Sequence, residues 1–473
     1  MIRDFKPVRS NEMNMPVEPC PEEFIRRPRK AASLGELPSN DQFSYTKPSV
    51  IVESSKHTRL AVAAIEQGVY RLENPPLNSP GQMPDTPTAA SGTTRKASYT
   101  PTNLIVSALT RDLWQDWLDR TRHDVFHTAD YYRVEAEATG ATAHLAVYGK
   151  PERFIAWPYL LKPISIGNSS VDPTCREVTC AYGYSGPLAC QCQNDESFLK
   201  KAWEAISSEW AVQGAVSAFV RFHPILGNAL WFQGGSKILD KTEPQGNLGF
   251  VGNTVAIDLS NTPDGIWYGY SRQVRQAVRR CLRSGMVIEE DLEWKYLEDF
   301  VRIYHKTMER NKADGFYFFP TQYLRTLREA VGQHVRLMAA RYEDKVVSAA
   351  LLMEYGGIVS LYLLATDDEY LHLSPSKALL HASQEWAKAR GNHTFHLGGG
   401  RGGRSNEPLF HFKAAFSSQF FPFHVGRWVL NQPAYDFLTE KRRKETALFR
   451  DKEIDPDYFP AYRAPLIEST KLS

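Results

Sequence analysis

Residues 358–366 read IVSLYLLAT and are followed by SPSKALLHASQEWAKARG at 374–391, TFHLGGG at 394–400 and LFHFKAAF at 409–416. The first piece is a short β-branched and aromatic run, the second repeats apolar residues at three- and four-residue spacing, and the third is a strand running straight into glycines. Strand, helix and parallel strand make one crossover unit. Ser374 fits the N-cap of that helix and Pro375 its first position. Free backbone N–H groups would then point beyond the end of the first strand, where an anionic carrier can dock.

Working outward, a cycle starts near Thr254 with TVAIDL, an arginine-rich helix to Ser284 and a strand MVIEEDL. Helices are expected over roughly 294–311 and 321–331. Three strands follow, HVRLMAARYE, KVVSAALLMEY and IVSLYLLAT, separated by the turn-like EDK and GG. After the crossover unit, SQFFPFHVGRWVL reads as a further strand. From Leu104 to about Gly252 a comparable mixed pattern runs through a Trp114/Trp117 helix, the strand-like HLAVYG, RFIAWPYLLKPI and TCAYGYSGPLAC, a helix DESFLKKAWEAISSEWAVQG and a strand AVSAFVRFHP. The tail from Pro433 holds one polar helix. Residues 1–102 carry 13 of the 29 prolines with no sustained period and are expected to be mostly disordered, apart from a possible short helix at 57–73.

Length and charge set outer limits. At 473 residues and 42% hydrophobic content the chain can bury two to four cores. Its 56 lysines and arginines nearly balance 54 acids, so bulk charge favours neither nucleic acid nor an anionic membrane, and any phosphate site must rest on a local cluster. No apolar run reaches the length of a membrane span and the N-terminus lacks a secretory core, so a cytoplasmic location is expected. Six cysteines are too sparse for a disulfide scaffold, and the spacing of Cys175, Cys180, Cys190 and Cys192 fits zinc poorly, so no metal is expected.

Three passages carry a resemblance to a known family: AYGYSGPL at 181–188, FVRFHPILGN at 219–228, and HLGGGRGG with PLFHFKAAFS at 396–417. Together with the element order they resemble the Fem-type (FemAB/FemX-like) branch of the GNAT acyltransferases over roughly residues 104–430. The resemblance implies an α/β (α+β) fold of two tandem GNAT-like domains, 103–252 on the acceptor side and 253–431 holding the acyl donor between its fourth and fifth strands. The extension 1–102 and the helix and tail 432–473 flank them. It also implies an N-acyltransferase that uses acyl-CoA or, as in the Fem-type enzymes, aminoacyl-tRNA, with the amine of a cell-envelope or polysaccharide precursor, a sugar or peptide, as acceptor. A non-catalytic precursor-binding relative is a third possibility. One departure bears on the donor: the usual pyrophosphate loop is glycine-rich, whereas EYLHLSPSKALL at 369–380 has no glycine, which brings Cβ atoms to where backbone should meet a diphosphate.

Candidate residues follow. Lys413, flanked by Phe410, Phe412 and Phe416, is a desolvated cation suited to a carbonyl oxyanion, and the resemblance matches Phe412 and Lys413 to a Phe-Lys pair near the chemistry; a lysine stem covering a core edge is the alternative. Tyr182 and Tyr184, two apart on an expected strand, would face one side and wall a sugar or peptide acceptor, with Gly183 and Gly186 admitting close approach. Arg221 and His223 share a face by the same period; the first can hold a phosphate or carboxylate, the second can take a proton or serve as a structural histidine. Arg272, Arg275, Arg279 and Arg283 form a stripe opposite Tyr270, Val274, Val278 and Cys281, able to follow phosphates or simply to be solvated. Ser374, Ser376 and Lys377 at the crossover helix start favour a donor phosphate, and the fold implies that Leu364 and Ala365 offer backbone to the acyl carbonyl. Gly398, Gly399, Gly400, Gly402 and Gly403 match neither a Rossmann nor a P-loop pattern and read as a turn beside the acceptor, with Arg401 and Arg404 in reach of substrate.

Overall fold

The computed structural model describes residues 104–108, 110–166, 171–232, 246–403, 406–446 and 452–468. The proline-rich extension, the 57–73 helix and Arg404 lie outside them. The first half runs β1 (Leu104–Ala108), α1 (Arg111–Leu118), α2 (Ala129–Thr139), β2 (Thr142–Lys150), β3 (Arg153–Pro163), β4 (Arg176–Thr179), β5 (Leu188–Cys190), α3 (Glu196–Val212) and β6 (Ala215–Arg221). The second runs β7 (Gly246–Asp258), α4 (Pro263–Gly269), α5 (Arg272–Arg283), β8 (Val287–Glu290), α6 (Leu297–Arg310), α7 (Thr321–Val331), β9 (Val335–Tyr342), β10 (Lys345–Tyr355) and β11 (Ile358–Thr366). It continues with α8 (Pro375–Ala389), β12 (Thr394–Gly399), α9 (Pro408–Ala414) and β13 (Gln419–Val429). The tail adds α10 (Gln432–Thr446), β14 (Lys452–Ile454) and β15 (Leu466–Glu468).

Local chemistry sets these boundaries. Thr128, Asp195 and Ser271 cap α2, α3 and α5 by accepting from the N–H groups of Tyr131, Phe198 and Val274, and Gly140 ends α2 in the left-handed conformation. The apolar stripe of α5 is buried as its spacing requires, with Val274, Val278 and Cys281 fully covered against α8. The β9–β10 and β10–β11 turns place Glu343, Asp344, Gly356 and Gly357 at positive φ, the conformation two-residue hairpins demand.

Among the described residues, all the strands but β14 and β15 join one 13-stranded sheet in the order β1-β2-β3-β4-β6-β13-β7-β12-β11-β10-β9-β8, with β5 on β3. The two halves share this sheet rather than meeting as separate bodies. Strand β13 is the seam: its residues 425–429 pair with β6 and residues 419–428 pair with β7. Strand β7 also begins at Gly246, upstream of the 252/253 division expected from sequence. Behind the first half, Trp157, Trp203, Trp210 and Trp428 are buried in one cluster, so α3 is packed on both β3 and β13.

Two expectations about elements change. Residues 180–187 form an irregular segment between β4 and β5, not a strand, because Gly183 and Gly186 take φ of +101° and +90°. A Cβ on Gly183 would lie 2.7 Å from the Phe126 ring, so the close approach depends on glycine. Ser374 does stand before Pro375 at the start of α8, but with φ +58° and no side-chain capping bond.

Candidate active site

Strands β11 and β12 are parallel neighbours for three rungs only: Ile358 with Thr394, Val359 with Phe395, and Ser360 with His396. Beyond that rung they part. Each strand bulges just past it: β11 carries Tyr362 as the extra residue against β10, and β12 carries Leu397 against β7. A bulge bends its strand and strengthens its twist, so two on adjacent strands splay them into a wedge. The β11 bulge is pinned from both halves. Tyr362 Oη meets the hydroxyls of Tyr323 at 2.7 Å and Tyr131 at 3.3 Å, and Tyr323 in turn donates to buried Glu135 at 2.6 Å. Burial pushes the Glu135 carboxyl up and all three phenols well above their ordinary value.

The wedge opens into a cavity of about 720 Å³. Past Ser360, β10 is the only strand among the described residues that pairs with β11, and alternate residues turn their backbone groups to the other side. Thr366 shows which residues these are: its N–H donates to Thr307 Oγ1 and its carbonyl accepts from Thr307 and Arg310, all on α6. Leu364, two residues earlier, therefore faces the wedge, and it lines the cavity. Ala365 is corrected by the same alternation: it is paired with Ala349 on β10, is buried, and does not reach the cavity.

The sequence-predicted residues sort cleanly. Tyr182, Tyr184, Arg221, Ser376, Arg401, Phe412 and Lys413 line this one cavity, although they come from both halves of the chain. Lys413 rides on α9, whose start is fixed by Glu407 accepting from the N–H groups of Leu409 and Phe410. Its Nζ donates to the Gly399 carbonyl at 2.7 Å, which leaves two donors for a ligand. Burial lowers its ammonium to about 8, against the opposing pull of Glu407. The Arg221 guanidinium lies 5.8 Å from the centre of the Tyr182 ring and 5.6 Å from that of Phe219. Arg401 ties the glycine turn to α6 by donating to the Asn311 carbonyl at 2.8 Å. Burial pushes the Tyr184 phenol up to about 12.

Others are not brought in. His223 is buried behind the cavity wall. Its Nε2 donates to Asp124 at 2.9 Å and its Nδ1 accepts from the Leu226 N–H, so neither nitrogen is left for substrate. Burial holds His223 down to about 3 and Asp124 up to about 7. The arginine stripe of α5 lies outside the cavity on a solvated face: Arg272 is exposed and Arg275 donates to the carbonyls of Tyr268 and Tyr270. Arg279 stacks on Trp267 and Arg283 bonds back to Arg279. Ser374 and Lys377 also lie outside the cavity lining. Cys175, Cys180, Cys190 and Cys192 are free thiols, and among the described residues no cluster fit for a metal ion occurs.

Sequence reasoning places the parting of the strands beside His396 but gives no role to His396 or Ser360, the last rung of the wedge, and both line the cavity. A single polar residue in an apolar strand was the only available signal. Gly398 is a further determinant. It has φ +76°, and a Cβ there would stand 3.3 Å from both Lys413 Nζ and Tyr184 Oη. Gly398→Ala is expected to cost about 1 to 2 kcal/mol in denaturant unfolding through the left-handed backbone. It should also displace the ammonium enough to slow turnover about tenfold.

With this geometry in hand, comparison with known proteins gives a family for part of the chain. Residues 269–413 match the family model of the acetyltransferase (GNAT) domain. A crystal structure of FemX aligns at TM-score 0.55 and 13% identity, over 70% of this chain and 99% of that one, a likeness of fold. The C-terminal domain of a putative lysylphosphatidylglycerol synthetase from Agrobacterium fabrum aligns at TM-score 0.43 and 15% identity, over 69% and 95%. A tandem GNAT protein from the clavulanic acid biosynthesis pathway aligns at TM-score 0.40 and 12% identity, over 68% and 98%. No match is found among curated proteins. The chain carries a GNAT acyltransferase domain on a mixed α/β fold. No helix among the described residues is long and apolar enough to cross a membrane.

Proposed function

We propose that this chain is an N-acyltransferase that moves an acyl group from an activated carrier to an amine by direct attack. The observation that carries the reading is the wedge past Ser360 and His396, with the open-side backbone of Leu364 on one wall and the ammonium of Lys413 in the same cavity. A carbonyl lying in the wedge would meet donors already fixed in place before the oxyanion forms, which is where such donors act most strongly. Tyr182, Tyr184 and Arg221 suit the acceptor: aromatic walls with hydroxyl tips and a buried guanidinium match a sugar or peptide amine bearing a carboxylate or phosphate. An amine of a cell-envelope or polysaccharide precursor fits that description. Phe412 forms wall beside the reacting centre and Arg401 stands at the glycine turn.

Acyl-CoA is the donor we favour, as GNAT domains generally use it. Aminoacyl-tRNA is the second reading, and one feature supports it. The first turn of α8 offers little to a diphosphate: Pro375 has no N–H and the Lys377 N–H is spent on the Ser374 carbonyl, which leaves that of Ser376. Three acids, Asp367, Asp368 and Glu369, lead into that turn, the first two paired with Arg302 and Arg310.

The test incubates the full chain with acetyl-CoA or with charged tRNA and a panel of amino sugars and short peptides, read by mass spectrometry. An acylated amine supports the reading and its carrier identifies the donor. No product from either carrier, together with a rise in melting temperature on adding the amines alone, would replace it with a precursor-binding role.

A further inference from the structure

Direct attack requires the acceptor ammonium to lose a proton, and with both His223 nitrogens engaged that residue cannot take it. We infer that His396 is the proton acceptor, an assignment that rests on the acyl-transfer reading and names the group that prepares its nucleophile. His396 sits on the last rung before the strands part. The alternation that buries Phe395 and Leu397 in the core with α5 and α8 turns His396 to the opposite face, toward Tyr184. There it lines the cavity while only 1% exposed, and among the described residues neither ring nitrogen has a hydrogen-bond partner. Buried polar atoms in folded proteins are nearly always paired, so an imidazole with two open nitrogens on a cavity wall is built to meet what enters the cavity.

Its surroundings fit the role. Facing it are Lys413 from α9, His223 from the segment after β6, and the Tyr184 ring at 5.0 Å; Asp124 adjoins Ser360 across the rung. Burial, with the Lys413 ammonium adding to it, holds the imidazole well below its ordinary value and hence neutral near pH 7. Neutral imidazole keeps one bare nitrogen to accept with.

The protons balance as follows. An ammonium R–NH3+ gives one proton to His396 and becomes the nucleophile; its lone pair forms the C–N bond to the acyl carbon and the carbonyl electrons move to oxygen. Collapse of that adduct breaks the bond to the carrier, which leaves as thiolate or alkoxide and takes a second proton from the adduct nitrogen. The amide, the protonated carrier and one proton, released from His396 to water, are the products.

The experiment compares two nucleophiles with acetyl-CoA or charged tRNA as donor: ethanolamine, as an alkylammonium acceptor, and hydroxylamine, whose nitrogen is already neutral at pH 7. His396→Gln and His396→Asn are expected to slow transfer to the ammonium about 10²- to 10⁴-fold while leaving hydroxamate formation within a few fold. Hydroxamate formation retained above the rate without protein also reports that the variants fold. Equal loss with both nucleophiles makes His396 structural, and no loss with either removes it from the chemistry; both overturn the assignment. A wild-type protein that acylates neither nucleophile overturns the acyl-transfer reading itself, and the assignment with it.

Discussion

Lys413→Met is expected to lower turnover about 10²- to 10³-fold, the cost of removing one preorganised oxyanion donor. Methionine keeps the stem length and the apolar contacts of α9, so the unfolding midpoint should barely move. The pH dependence gives an independent check. Burial has lowered the ammonium to about 8, so the charged form is complete well below that value and is lost as pH rises through it. Turnover of the wild type should therefore fall on the alkaline side with a midpoint near 8. Lys413→Arg, whose guanidinium stays charged, should shift that limb upward while its different shape lowers the plateau. Steady-state rates from pH 6 to 10 for the three proteins read both effects. Full activity in the methionine variant would remove Lys413 from the site.

The largest stability effect is expected in the C-terminal tail. Arg463 in the C-terminal tail places Nε 2.6 Å from Glu177 Oε2 on β4, with the two side chains 5% and 9% exposed. Tyr462 donates to the same carboxylate at 3.2 Å and meets Ser217 on β6 at 2.7 Å. Arg463→Met strands a buried carboxylate without its counter-charge, which typically costs about 3 to 5 kcal/mol. Adding Glu177→Gln removes the stranded charge, and the double variant should recover most of the loss. Urea unfolding of the single and double variants measures this. A single variant within about 0.5 kcal/mol of wild type would mean that the tail does not clamp the first half.

The second half of the chain was largely legible because its signals are local. The alternating runs of β9 to β11, the turn residues between them and the three-and-four spacing of α8 all lie within one element or its nearest neighbour in sequence. The position of β13 was not, because its pairing with β6 joins residues some two hundred apart and nothing in SQFFPFHVGRWVL names its partners. In AYGYSG the aromatic alternation outweighed the two glycines in the reading, whereas positive φ at both decides the conformation. Tyr182 and Tyr184 still reach the cavity, for a different backbone reason than the expected one. For the arginine helix, the buried stripe was readable but the destination of the charged face depended on which side of α5 meets the sheet. His396 received no chemical role from the sequence because the property that matters, two nitrogens without partners among the described residues, exists only after Tyr184, Lys413 and β11 have been brought around it.

The seam strand has a practical corollary for anyone dividing the gene. A fragment ending at Phe232 would carry every residue of the first tryptophan cluster except Trp428 and would present the ladder of β6 as a raw edge, a template for pairing with other molecules. Produced alone it should precipitate. Produced together with the fragment that begins at Gly246, it can recover Val425–Val429 from its counterpart, so the two pieces should be isolated as a complementing pair and not as independent modules.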